Sequence, residues 1–297
     1  MVHKTFAFFA LAFAVLGSLV AAAEPLVVVV MDPLSGPLAC DCVEGYAQRK
    51  YEKLGEYLET SLGRPVKVAW NDNLAEALKD ETAGKADVII GKYSVVQAQT
   101  KQLKINAAPI ARLTGRDGAT DQWGLLVVRS GDAAQTVADL NGYRVFAGPA
   151  EAEEKSGAAT KLFKEAGIAV NSTPEIFDAC SEAAKGLMKL PADAKAVAVI
   201  SSYAEPLLEG CKAVKKGDLR VIGRTESIPF VTAFANAKLS AEDKAKVTAA
   251  LLETGTKADL LISLETLEGF VSLDEAAKKD ADAAQERRKD AATAKKN

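Results

Sequence analysis

The sequence predicts an α/β protein of two lobes, each a mostly parallel sheet flanked by helices, with a cleft between them. Three observations carry this. Strand and helix patterns alternate from residue 26 onward, the order that places helices on both faces of a parallel sheet. Leu26–Met31 (LVVVVM) and Ala196–Ile200 (AVAVI) are continuous apolar runs, as in strands covered on both faces. The alternation breaks at Leu113–Asp121 (LTGRDGATD) and again at Arg224–Asn236 (RTESIPFVTAFAN), which read as two crossings between the lobes.

The elements follow in order. Residues 46–62 show helical spacing, with Tyr51, Leu54, Tyr57, Leu58 and Leu62 on one face, and Gly63 and Pro65 end the helix. Pro65–Trp70 alternates as a strand, Asn73–Thr82 is helical, Ala86–Ile90 is a buried strand closed by Gly91, and Ser94–Leu103 is helical. Past the first crossing, Trp123–Arg129, Tyr143–Ala147, Pro174–Phe177, Ala196–Ile200 and Leu219–Gly223 read as extended segments. Between them Val137–Asn141, Ser156–Ala166, Ala179–Lys189 and Tyr203–Glu209 read as helices. Ser240–Glu253 is a helix with Ser240 as N-cap and Asp243 at its third position. This reading assigns residues 24–115 and 230–273 to lobe 1 and residues 116–229 to lobe 2. Asp274–Asn297 has no apolar residue larger than alanine and reads as a solvated, partly helical charged tail.

Residues 1–23 read as a secretory signal peptide: Lys4 supplies the positive charge, Thr5–Val20 contains the apolar region, and Ala21-Ala22-Ala23 is the cleavage site. A transmembrane anchor, the alternative, needs about 20 apolar residues. No cysteine follows the apolar region, so a lipid anchor is not expected. The mature chain is expected to be soluble and exported. With 37 Lys and Arg against 40 Asp and Glu, the chain carries −3 and has no excess of cations for nucleic acid. Its 48% apolar and 26% charged residues fit a folded soluble protein. The single histidine, His3, leaves with the leader, which closes Ser-His-Asp and Cys-His mechanisms and histidine metal ligation. Carboxylate and lysine chemistry stay open, but no spaced pair of acids singles itself out. The chain is therefore read as a non-enzyme without cofactor.

Four cysteines remain: Cys40, Cys42, Cys180 and Cys211. Cys40 and Cys42 lie in Pro33–Val43, the loop after the first strand, which should line the cleft. As paired thiolates they would hold a soft metal such as Cu(I), giving a periplasmic metal-binding or redox protein on the same fold. Alternatively they are oxidised, as expected in an exported protein, bonded to each other in a strained ring or to Cys180. A Cys180–Cys211 bond would close a loop of about 30 residues, worth roughly 3–4 kcal/mol.

Four stretches, in this order and spacing, carry a family likeness: Tyr51–Val68 (YEKLGEYLETSLGRPVKV), Ala83–Ser94 (AGKADVIIGKYS), Asp139–Gly167 (DLNGYRVFAGPAEAEEKSGAATKLFKEAG) and Leu219–Phe234 (LRVIGRTESIPFVTAF). Spread over most of residues 26–255, they resemble the phosphate/phosphonate-binding periplasmic proteins of ABC importers, which have the type II periplasmic binding fold. The resemblance implies a periplasmic solute-binding protein that captures a small anionic ligand, a phosphate- or phosphonate-like oxyanion, by hinge closure. It also implies an ABC transporter permease in the inner membrane as partner. In that family a Ser-Thr-Ser-Gly turn at a helix start holds the phosphoryl group. The matching positions here are Glu154, Lys155, Ser156 and Gly157, with Glu151 and Glu153 nearby. A carboxylate facing a bound phosphonate repels it, with Lys155 able to offset part of the charge. The alternative reading is a solvated helix entry, where acids are favoured. The family's second-lobe histidine is missing from Asp178-Ala179-Cys180-Ser181-Glu182.

Position in the predicted fold singles out the remaining ligand candidates, since ligands sit beyond the carboxyl ends of parallel strands and helix starts favour anions. Asp32 follows the first strand, as an acceptor for a ligand amine or as a turn former before Pro33. Tyr46, Tyr93 and Ser94 begin helices, offering a ring and hydroxyls or simply packing. Ser156 and Gly157 open another helix. Ser201, Ser202 and Tyr203 follow a strand of lobe 2, as ligand donors and helix cap. Sequencing of the exported protein's N-terminus is expected to begin at Glu24; an intact Met1 in the membrane fraction would contradict the leader.

Overall fold

The computed structural model describes residues 24–39, 47–169 and 173–294; residues 1–23, which the sequence reads as a leader, and Cys40, Cys42 and Tyr46 lie outside them. The first strand, β1 (Leu26–Met31), is buried along its whole length. Successive side chains of a strand point to opposite faces, and here the two sets enter different cores. Leu26, Val28 and Val30 join Tyr51, Leu54 and Leu58. Val29 and Met31 join Leu74, Ala77 and Phe234. Each such side chain contributes about 1.5–3 kcal/mol by leaving water. Helix α1 (Tyr51–Leu62) covers the first face, and α2 (Leu74–Glu76), continued by a π-helical turn Ala77–Glu81, covers the second.

Lobe 1 goes on with β2 (Val66–Trp70), β3 (Val88–Lys92), α3 (Tyr93–Gln102) and β4 (Ala107–Leu113). Then follow β5 (Asp121–Gln122), β6 (Gly124–Arg129), β7 (Arg144–Ala147), α4 (Gly157–Glu165), β8 (Glu175–Ile176), α5 (Cys180–Lys189), β9 (Ala196–Ser201), α6 (Glu205–Gly210) and β10 (Leu219–Arg224). The chain returns through β11 (Ile228–Pro229) and closes with β12 (Val231–Asn236), α7 (Ala241–Glu253), α8 (Ala258–Ser263), β13 (Phe270–Val271) and α9 (Leu273–Ala294). The first sheet has the order β13-β4-β12-β3-β1-β2 and the second β10-β6-β9-β7-β8. Pairing is parallel except where β12, β13 and β6 run against their neighbours. In the second sheet parity again separates two cores: Val197 and Val199 meet Leu140 and Phe163, while Ala198 and Ile200 meet Ala184 and Leu187.

Three expectations need correction. Helix α1 starts at Tyr51 rather than at residue 46, because Arg49 is bridged to Ser35 and its backbone bonds to Leu34 and Gly36. The second crossing is shorter than Arg224–Asn236, because Val231–Asn236 is a central strand of the first sheet. The chain crosses between the sheets where β5 and β11 pair as a two-stranded antiparallel ribbon. Ser240 caps α7 as read from the sequence, accepting from the Asp243 amide.

The tail is the third correction. Residues 273–294 form α9, which packs one face on the ribbon and keeps the other in solvent. Ala276 is fully buried. Asp280 pairs with Arg112 at the end of β4 and accepts from the Thr120 hydroxyl at 2.7 Å. Arg287 pairs with Asp121 of β5 at 3.0 Å, donates to Ser227 beside β11 at 3.1 Å, and lies 5.2 Å from the centre of the Trp123 ring. Charged groups replace the apolar face that an alanine-rich helix lacks. Among the described residues, no helix is long and apolar enough to cross a membrane. Asp280→Ala is expected to cost about 1–2 kcal/mol, since the pair is only partly buried, and to speed amide exchange across residues 273–294. Unchanged exchange there would show that α9 is held by other contacts.

Candidate functional site

Carboxyl ends of strands from both lobes converge on one cleft, the place where parallel sheets bind ligands. Lobe 1 contributes Asp32 after β1 and Lys92 at the end of β3. Lobe 2 contributes the loop after β7 and Ser201 at the end of β9. At the centre is Glu154, in a 3-10 turn Glu153–Lys155 ahead of α4. Its carboxylate has no solvent exposure. Oε1 takes the Lys92 ammonium and the Ser201 hydroxyl, the latter at 2.6 Å. Oε2 is buried without a partner. Lys92 also lies 5.9 Å from the centre of the Tyr203 ring. A second contact between the lobes runs from the Glu153 amide to the Ser94 hydroxyl, 3.4 Å.

Gly124 makes this arrangement possible. A Cβ there would fall 2.1 Å from the Glu154 carbonyl oxygen, so only glycine lets the turn lie against β6. Burial on its own pushes the Glu154 carboxyl up. The charge and hydrogen bond of Lys92, the Ser201 hydroxyl and the charge of Lys155 outweigh burial and hold it below its usual range. Lys155 is buried too, but its ammonium goes to the Asp178 carbonyl at 3.0 Å. Of the three glutamates, Glu153 is exposed at the helix entry and Glu151 is half-buried. The solvated reading thus describes Glu153 and fails for Glu154.

The other candidates divide. Asp32 is fully buried and bonded within lobe 1: it pairs with Arg49 at 2.8 Å and accepts from the Tyr51 hydroxyl at 2.6 Å and the Leu34 amide at 3.0 Å. Burial pushes the Tyr51 phenol well up, with the Asp32 charge adding to it. Arg49 donates its Nε to the Leu264 carbonyl and lies over Phe230, 5.6 Å from the ring centre. Tyr93 packs on Phe234 and its hydroxyl accepts from Gln97. The Ser156 hydroxyl turns back to the carbonyls of Ala150 and Ala152 and does not cap α4. The open side of Gly157 is covered by the Glu153 carboxylate. Ser201 and Tyr203 are at the cleft. Tyr203 stacks on Phe230 with centres 5.0 Å apart. Burial, then the neighbouring Cys180 and Glu154, push its phenol well above the ordinary value.

A cavity of about 360 Å³ opens beside the ribbon, with Arg49, Gln122, Trp123, Tyr203, Leu207 and Phe230 in its wall. The Gln122 amide is buried, and both its oxygen and its nitrogen lack partners. A second cavity of about 220 Å³ shares Leu34, Tyr203 and Leu207 with it and reaches Lys155 and Cys180. Lys92, Gln122 and Trp123 were missed in the sequence. Lys92 had one signal, a charge that ends an apolar strand directly before Tyr93 and Ser94. Cys180 is a free thiol, so the Cys180–Cys211 and Cys40/Cys42–Cys180 bonds left open by the sequence do not form. The metal reading of Cys40 and Cys42 falls outside the described residues; among those residues no group of three or more His, Cys, Asp or Glu could hold a metal.

Two α/β lobes, two crossings paired as a ribbon and one shared cleft are the architecture of the two-lobed periplasmic binding proteins. The chain belongs to the family described as ABC transporter, phosphonate, periplasmic substrate-binding protein, which it matches over residues 45–278. No curated sequence matches it significantly. Solved structures of similar fold include a Xanthomonas citri protein bound to ATP, 15% identical with a TM-score of 0.66, covering 90% of this chain and 99% of that one. A binding protein component of an ABC phosphonate transporter from Pseudomonas aeruginosa is 15% identical with a TM-score of 0.62, covering 86% and 84%. PhnD1 from Prochlorococcus marinus, in complex with methylphosphonate, is 13% identical with a TM-score of 0.61, covering 89% and 97%.

Glu154→Gln keeps the shape and leaves Lys92 buried without a counter-charge, an expected loss of about 3–5 kcal/mol at neutral pH. The folded carboxyl titrates below the ordinary 4.5. Its contribution is therefore present above that value and lost as pH falls through the lower folded value. In urea unfolding, the gap between the two proteins should be constant above pH 4.5 and close below it. A gap that persists at acid pH would mean that the charge of Glu154 is not what stabilises the cleft.

Proposed function

We propose that the protein is an extracytoplasmic solute-binding component of an ABC importer. It captures a small polar solute between its lobes and presents the closed form to a permease in the inner membrane; no bond is made or broken. The observation that carries this reading is the convergence of strand ends from both lobes on one buried polar cluster beside an interlobe cavity. The family membership supports it, as does the reading of residues 1–23 as a leader. The proposed ligand residues are Ser201 and Tyr203 of the original set, with Lys92, Gln122 and Trp123 added. Ser94 and Glu153 join the lobes at the rim. Asp32, Ser156 and Gly157 serve as supports of the cleft walls.

A phosphate- or phosphonate-like oxyanion is the class that an ammonium and a hydroxyl recognise, and at Lys92 and Ser201 it competes with Glu154. Solutes that use the larger cavity meet Trp123, Tyr203 and Phe230 as apolar walls and the Gln122 amide as donor and acceptor. A thermal-shift screen of the mature wild-type protein with phosphate, phosphonates, sulfonates, nucleotides and amino acids tests the reading. A true solute at a hundredfold excess over Kd should stabilise by about 2.7 kcal/mol. Absence of any shift, together with unchanged dimensions in small-angle scattering, would count against a binding protein.

A further inference from the structure

We infer that the Glu154 carboxylate is a tethered occupant of an oxyanion seat built by Lys92 and Ser201. Removing it turns that seat into a site for small carboxylates and for phosphate- or phosphonate-type anions. The inference rests on the solute-binding reading above and concerns what fills the cleft when no solute is present.

The donors come from different lobes. Lys92 ends β3 in lobe 1, Ser201 ends β9 in lobe 2, and both reach the same oxygen, Oε1 of Glu154. All three residues are buried. A buried ammonium requires an anion, because a lone charge withdrawn from water is strongly unfavourable. The chain itself supplies that anion, from a turn whose neighbour Glu153 faces solvent. The cleft is thereby held shut by an internal group of the chemical class that the two donors would otherwise take from solution.

The fit is incomplete. Oε2 of Glu154 is buried and accepts no hydrogen bond, so half of the carboxylate's acceptor capacity is stripped of water without return. A group engineered by selection only to bind the lobes together would be better satisfied. A free anion that presents its oxygens to Lys92 and Ser201 without being fixed to the Glu153–Lys155 turn can reorient to satisfy the rest. The tether decides the contest, because Glu154 is present at high effective concentration whatever the solute level. Glu154 therefore acts as a specificity residue that sets a threshold for oxyanions. With Glu154 gone, Lys92, Ser201 and the space of a carboxymethyl-sized side chain remain, on a backbone that Gly124 already holds close.

The test compares wild type, Glu154→Ala, Glu154→Ser and the double variant Glu154→Ala/Lys92→Met. Each mature protein is titrated with acetate, inorganic phosphate and methylphosphonate, with chloride at matched ionic strength as control. Unfolding temperature, calorimetric affinity and small-angle scattering are read. The expected result is a Glu154→Ala protein that is less stable and more extended than wild type, and that regains both properties saturably with the oxyanions but not with chloride. Its affinity for them should exceed that of wild type by about tenfold or more, a difference of at least ~1.4 kcal/mol. The double variant should show no recovery. Equal anion responses in wild type and Glu154→Ala, or recovery that persists without Lys92, would overturn the inference and show an ordinary structural ion pair. If the single variants do not fold in chloride, refolding in acetate decides: recovery supports the seat, and failure in both salts counts against it. The failures are separable. Tight phosphonate binding by wild type would sink the tethered occupant and leave the solute-binding reading standing. A wild type that binds nothing beside a responsive Glu154→Ala would do the reverse.

Discussion

The relation between the two lobes depends on a buried ion pair, Lys92 with Glu154. Taking two such charges out of water costs several kcal/mol each, and their attraction offsets this only in good geometry with further hydrogen bonds. The fold provides that geometry by stiff means. Lys92 is fixed at the end of a central strand, registered against Val231 of β12. Ser201 is fixed in the same way opposite Gly124. Glu154 arrives on a turn that fits only because Gly124 has no side chain. Beside the pair, the Tyr203–Phe230 stack supplies the apolar part of the contact. Leu207 of lobe 2 joins the core of lobe 1 beside that stack, while the other core residues pack within their own lobe, so a small apolar contact and the buried polar cluster together set how the lobes meet.

Much of the fold was legible because it depends on short-range pattern. Four consecutive valines mark a strand buried on both faces. Ser240 three residues ahead of Asp243 marks the start of α7. The family likeness was carried by the order of several weak motifs, and the family itself covers residues 45–278. The centre of the site was only half legible. Tyr93 and Ser94 were singled out, but the decisive side chain is their neighbour Lys92, whose partner is 62 residues away. Nothing local to Glu154 separates it from Glu153, yet one is buried and the other exposed. That choice is made by the tertiary partners of the turn, Lys92 and Ser201. The Ser156 hydroxyl is turned by a local cause instead: it finds two carbonyls of its own loop. At the tail, composition gives the helix and its solvated face, whereas the face bonded to Arg112, Asp121 and Ser227 depends on residues 60 or more positions away.

The ribbon β5–β11 borders the cleft, and the helix α9 packs on that ribbon. Only two residues of each strand pair in the ribbon, so it bends at little cost in backbone hydrogen bonds. Helix α9 touches the end of β4, β5, Ser227 just ahead of β11 and the Trp123 ring. Lobe 1, the crossings and the entry to lobe 2 are thus spanned by one rod.

That rod is attached by charges, and charges in contact with water respond to the ions around them. The screening length is about 8 Å at physiological ionic strength and falls to about 3 Å at 1 M salt. The pairs of Asp280 and Arg287 stand partly in solvent, whereas Lys92 and Glu154 are sealed between the lobes. Salt therefore acts unequally on these contacts: it weakens the hold of α9 on the crossings and leaves the Lys92–Glu154 pair intact. That hold is thus a property of the medium, while the Lys92–Glu154 pair remains a property of the chain.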